Sequence, residues 1–187
     1  MAVDFTNTLI VAISATALFD LSESENHLLE LLEQRPDEAI KEFRDYMAER
    51  ENDALTIGAG YPLIQALLNL NNYCDSCGNS NSAIQTPLVE VVIVSKSSPD
   101  TGIQVLNAIR THGLNISRSA FISGSSVAPY IDDFNVDLFL TTNRNDAQQI
   151  ADADICACAI LDATPVNTYK LDTKQLRIAF DGDAVLF

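Results

Sequence analysis

A chain of 187 residues, 47% of them apolar, has the material for one domain with a sizeable core and too much hydrophobicity for a disordered segment. Its formal charge of −15, with only 11 lysines and arginines, excludes the clustered basic surface that nucleic-acid backbones require, so an anionic ligand must be met by local N–H groups or a metal ion. The early apolar run "NTLIVAISATALF" is interrupted by Ser14 and Thr16, too short to span a bilayer, and not preceded by a basic stretch; the expectation is a soluble, cytoplasmic protein with no membrane partner.

In chain order, "TLIVAIS" (8–14) reads as a buried strand, a short run with β-branched residues and a polar carboxyl end. Ser22 and Glu25 form a capping-box pattern ahead of "HLLELLEQ", and Pro36 is placed to open a second helix with Ile40, Phe43 and Met47 at helical spacing. A third helix, "YPLIQALLNLNNY", carries Leu63, Leu67 and Leu70 on one face. Together these predict a helical insertion over about 22–72, suited to a cap or a partner surface, followed by an Asn/Ser/Gly-rich loop over 74–86.

From Pro87 the pattern alternates: strand "LVEVVIV", helix "PDTGIQVLNAIRTHG", strand near "SAFISG", short helix "APYIDDF", strand "VDLFLTT", helix "NDAQQIADA", strand "ICACAIL". Short apolar strands alternating with amphipathic helices predict a three-layer α/β fold on a mostly parallel, Rossmann-like sheet. In such sheets the crevice lies beyond the strand carboxyl ends. Those ends are hydroxyl-rich: Ser14 and Thr16, Ser95 to Ser98, Ser123 to Ser126, and Thr141 to Asn143.

Two of these stretches admit two readings. "SKSSPDTG" suits an anion-binding turn built on Ser95 and the amides of the next helix, and it equally suits helix capping by Ser97 or Ser98 ahead of Pro99. The cysteines pair as Cys74/Cys77 and Cys156/Cys158, a spacing that zinc sites use; but Cys156 and Cys158 alternate within an apolar strand, where small buried hydrophobes are the plainer reading. His27 and His112 fall in helices, the latter in a last turn where a cation complements the helix dipole.

The chain closes on "IAFDGDAVLF", in which Asp181 and Asp183 flank Gly182. On residues alone this is either a tight turn or a strand end presenting two carboxylates to the same side. Laid over "VAISATALF" it repeats the earlier strand at an offset of 167 residues, with Ser14 under Asp181 and Thr16 under Asp183. In order along the chain, "SPDTG", "GLNISRSAF", "LFLTTN" and "AFDGDAVLF" resemble the cytosolic type I 5′-nucleotidase family of the haloacid-dehalogenase superfamily, over essentially the whole sequence.

The resemblance implies two dehalogenase-like halves in tandem. Residues 1–176 would form the first, and 177–187 the nucleophile strand of a second half that lies beyond this sequence. It assigns Asp181 as nucleophile and Asp183 as acid/base in magnesium-dependent hydrolysis of nucleoside 5′-monophosphates such as AMP, with Mg2+ on the Asp181 carboxylate and the Asp183 carbonyl. In the first half it implies Ser14, Thr16, Ser95 and Lys96 as phosphate-binding positions. Ser14 and Thr16 replace the catalytic carboxylates there, Val127 stands near an expected lysine, and Thr141 and Thr142 replace an acidic pair, so this half should not hydrolyse phosphate. A weak or inactive isolated chain follows, completed by a homo-oligomer or a second chain. The alternative from another class is a non-catalytic nucleotide-binding or assembly module.

Overall fold

The computed structural model describes residue 5, residues 7–76 and 86–162, and residues 176, 178 and 179. Five strands, β1 (Leu9–Ile13), β2 (Val89–Ser95), β3 (Arg118–Phe121), β4 (Leu138–Thr141) and β5 (Ala157–Ile160), form one sheet in the order β3-β2-β1-β4-β5. Every pairing is parallel, with Val11 opposite both Val91 and Leu138. Central strands of such a sheet are covered on both faces, which is why β1 reads as a continuous apolar run and β2 as one interrupted only by Glu90 before its terminal serine.

Alternate residues supply the two cores. Val11, Ile13, Val91 and Ile93 face α4 (Tyr61–Asn69) and α5 (Pro99–Thr111), while Ile10, Ala12, Val92, Val94 and Phe139 face α6 (Ala128–Asp133) and α7 (Arg144–Asp152). The result is the three-layer, Rossmann-like arrangement expected. The one charge in β2, Glu90, is buried and receives two bonds from Arg118, Nε at 2.8 Å and Nη2 at 2.5 Å; Phe134 lies under the guanidinium. Pairing makes the buried carboxylate tolerable.

The segment after β1 is not uniform. A short α1 (Ala15–Leu18) leads to a hairpin of α2 (Ser22–Gln34) and α3 (Pro36–Arg50) with its own small core of Leu31, Ala39, Phe43 and Met47. By contrast, α4 buries Ile64 and Leu67 against the sheet and serves as the layer helix between β1 and β2.

Two local expectations are corrected. Ser22 does not cap α2: it is the first helical residue, and Asp20 Oδ1 accepts from its amide (3.0 Å) and its hydroxyl (2.6 Å), which also lowers the Asp20 pKa. The charged acceptor two residues earlier outcompetes the serine hydroxyl. In α3 the buried stripe is Ala39, Phe43 and Met47; Ile40 lies off it and is 57% exposed.

Candidate functional site

The chain passes from β1 to β2 and β3 on one side and then returns to β4 and β5 on the other, so strand order reverses between β1 and β4. A crevice of about 970 Å³ opens there, at the strand carboxyl ends, where open parallel sheets place ligands. Ser14, Thr16, Ser95 and Lys96 all line it, as do Thr141 and Thr142. Asp181 and Asp183 lie outside the described residues, as does the 177–187 strand to which they were assigned, apart from Ile178 and Ala179.

On the β1 side, Ser14 is the N-cap of α1, its Oγ accepting from the Ala17 amide at 3.3 Å. Ser14 Oγ and Thr16 Oγ1 are 3.2 Å apart, and Thr16 Oγ1 meets Thr142 Oγ1 at 2.9 Å. This chain of hydroxyls links β1 to β4. It contains no base, so no hydroxyl here is activated as a nucleophile. Thr141 is fully buried, and its Oγ1 accepts from the Asn143 amide at 3.0 Å.

On the β2 side both readings of "SKSSPDTG" hold, for different residues. Ser98 caps α5 by accepting from the Thr101 amide at 3.1 Å, whereas the Ser95 and Ser97 hydroxyls pair at 3.1 Å on the crevice floor. The loop after β3 braces this turn: the Ser123 amide donates to Ser97 O (3.2 Å) and the Gly124 amide to Lys96 O (2.8 Å). Gly124 sits at φ +83°, a conformation suited to glycine.

Lys96 Nζ forms an ion pair with Asp146 Oδ1. Asp146 lies in the first turn of α7, whose N-cap Asn143 accepts from the Asn145 and Asp146 amides, and it is only 4% exposed. Sequence reasoning missed Asp146 because an acid in a first helical turn already has a sufficient explanation in the helix dipole. Its signal was position: it lies in the first turn of the helix that follows the strand at the order reversal. Val127 is buried at the start of α6, and the ammonium in the crevice comes from Lys96 instead.

The hairpin supplies the opposite wall, with Leu28, Ile40 and Phe43 lining the crevice together with Glu25 and Arg44. Arg44 Nε reaches Asp100 Oδ1 at 3.6 Å, tying α3 to the start of α5. The Glu25 carboxyl is open to the crevice mouth, yet the surrounding walls displace enough water to raise its pKa, with Asp20 adding a smaller push.

A divalent cation does not suit this crevice by itself. Its donors are hydroxyls, its deepest carboxylate is occupied by Lys96, and among the described residues no three His, Cys, Asp or Glu side chains converge. Cys156 and Cys158 are free thiols partly buried against the second core. Cys77 lies outside the described residues.

The whole chain, residues 1–187, matches the sequence profile of the 5′-nucleotidase family. The chain belongs to the 5′-nucleotidase family. Human (Homo sapiens) cytosolic 5′-nucleotidase 1B is 26% identical over 181 residues, covering 97% of this chain and 28% of that protein. The chain thus spans under a third of the length of this curated relative. No solved structure matches significantly. Among the described residues, no helix of this family member is long and apolar enough to cross a membrane.

Proposed function

We propose that the chain serves the cytoplasmic, magnesium-dependent hydrolysis of nucleoside 5′-monophosphates such as AMP, and that the hydrolytic residues are Asp181 and Asp183 rather than those of the described crevice. Family membership supports the reaction class. The observation that carries the division of labour is the β1 end, where Ser14 and Thr16 offer hydroxyls without a base and the nearby Asp146 is held by Lys96.

In this reading the Asp181 carboxylate attacks phosphorus. The P–O bond to the nucleoside breaks, and Asp183 gives its proton to the departing oxygen. Water, deprotonated by Asp183, then attacks phosphorus and releases phosphate from Asp181. Magnesium, when bound, offsets the charge that gathers on the phosphoryl oxygens. The described residues add no acidic ligand set, so turnover by this chain alone should be slow; each missing charge-stabilising donor typically costs about a hundred- to a thousand-fold.

Phosphate release from AMP with magnesium tests this, comparing wild type, Asp181→Asn and Ser14→Ala. Any release above background should vanish in Asp181→Asn and persist in Ser14→Ala. Release that survives Asp181→Asn and is lost in Ser14→Ala would put hydrolysis in the crevice and overturn the reading.

A further inference from the structure

The crevice has two chemically different walls. Its floor is polar, with Ser95, Ser97 and the Lys96 ammonium; its roof, from the α2–α3 hairpin, combines the carbon surfaces of Leu28, Ile40 and Phe43 with the charges of Glu25 and Arg44. Ile40 lines the crevice and is 57% exposed, an apolar side chain left accessible on that wall. A volume of about 970 Å³ is at the upper end of what small-molecule sites use.

We propose that this crevice is a nucleotide-binding site that holds a nucleoside 5′-monophosphate without cleaving it, with the phosphate at Lys96 and Ser95 and the base against Ile40 and Leu28. The nucleotide identity rests on the function proposed above; the pairing of an anion site with an apolar wall does not.

Lys96 is suited to the role because Asp146 fixes it without using it up. An ammonium has three donors, and one ion pair leaves two for a phosphate. The Asp146 side chain is 5% exposed and that of Lys96 31%, and Lys96 lines the crevice, so the anchored side chain stays in reach of a ligand there. The Ser95 and Ser97 hydroxyls share one hydrogen bond, leaving one hydroxyl proton to donate elsewhere. The floor adjoins the start of α5, a 13-residue helix whose dipole favours an anion.

The remaining charges orient the ligand. Asp100 is paired with Arg44 at the rim, and Glu25 on the hairpin disfavours a phosphate under the roof. The ester stays intact because Asp146 is pinned by Lys96 and Ser14 Oγ meets the Thr16 hydroxyl and the Ala17 amide, neither of them a base.

The test is calorimetric titration of the full chain, carrying Asp181→Asn so that ligand is not consumed, with AMP, adenosine and inorganic phosphate. AMP should bind more tightly than either fragment. Lys96→Met combined with Asp146→Asn leaves no buried unpaired charge; it should weaken AMP at least ten-fold and leave adenosine unchanged. Ile40→Asp should weaken AMP roughly ten-fold and leave phosphate unchanged. No binding of millimolar AMP by folded protein, AMP affinity indifferent to both variants, or phosphate binding as tightly as AMP would each overturn the proposal. Phosphate release, measured separately against Asp181, keeps its failure distinct from that of the hydrolase reading.

Discussion

Lys96 and Asp146 form an ion pair across the carboxyl end of β1, joining the strand on one side of it, β2, to the helix that follows the strand on the other, β4. The pair ties together the two halves of the sheet at the point where strand order reverses. It also fills with a neutral couple the place where an uncompensated carboxylate would repel a phosphate.

That geometry predicts unequal costs. Lys96→Met strands the Asp146 carboxylate, 4% exposed, without a counter-charge and should cost about 2–4 kcal/mol. Asp146→Asn leaves an ammonium that rehydrates through the crevice and should cost about 1 kcal/mol or less. The double variant should be less destabilised than the sum, by about 1–3 kcal/mol in a double-mutant cycle. Urea unfolding at pH 7 gives all three values; additive costs would mean the two residues do not interact.

The strands were legible because burial on both faces leaves continuous apolar runs, and "VEVVIV" and "LFLT" admit few other readings. Which strand ends meet was legible only as a general rule about parallel sheets. Nothing local to Thr16 or Thr142, 126 residues apart, says that their hydroxyls touch. The side of α3 was misjudged because Ala39 contributes little hydropathy, so the stripe through Ile40 looked as good as the true one through Ala39. Asp146 stayed hidden for the opposite reason, being already explained by its place in a helix. The cap's share of the crevice, Leu28 and Ile40, depends on how the hairpin folds back over the sheet, a tertiary choice that helical periodicity does not encode.

The hairpin's return to the sheet depends on Gly58. Its amide donates to Leu18 O at 2.8 Å beside the Phe19–Ile57 bridge, and Gly60 donates to Ala17 O at 2.8 Å. A Cβ at position 58 would lie 2.6 Å from Ala17 O and 2.9 Å from the Leu18 carbonyl carbon, both backbone atoms that cannot rotate away. Gly58→Ala should therefore cost about 1–3 kcal/mol. Gly113, at φ +65° with nothing within 4 Å of an added Cβ, is the control: Gly113→Asn should cost less than about 1 kcal/mol. Chemical denaturation of the two variants decides whether close approach or general flexibility sets the cost.

Glu25 gives a pH signature. Its pKa is raised, first by burial in the crevice wall and then by Asp20, so the folded chain holds this proton more tightly than the unfolded chain does. Stability should fall as pH rises from the ordinary glutamate range through the raised folded value, and the penalty is complete above it. Glu25→Gln removes the titration. Its unfolding midpoint should exceed that of wild type at pH 7, and the gap should close below pH 4, where the carboxyl is protonated in both states. A constant gap at both pH values would show that the gain comes from packing rather than charge.

Cys156 should be an unreactive thiol in the native chain. Burial, with smaller contributions from Cys158 and Asp137, pushes its pKa up to about 11, against a backbone hydrogen bond at Phe139 that favours the thiolate. At pH 8 its thiolate fraction is then on the order of one in a thousand, and the thiolate is the species that alkylating reagents trap. Iodoacetamide labelling at pH 8, resolved to the residue by fragment-ion mass spectrometry, should be slow at Cys156 in native protein and become fast in urea. The same shift makes the unfolded thiol lose its proton first, so Cys156 contributes a decline in stability as pH rises from the ordinary thiol range toward about 11, which Cys156→Ala should abolish. Fast native labelling at pH 8 would mean that Cys156 is open to solvent and not packed against the second core beside β4.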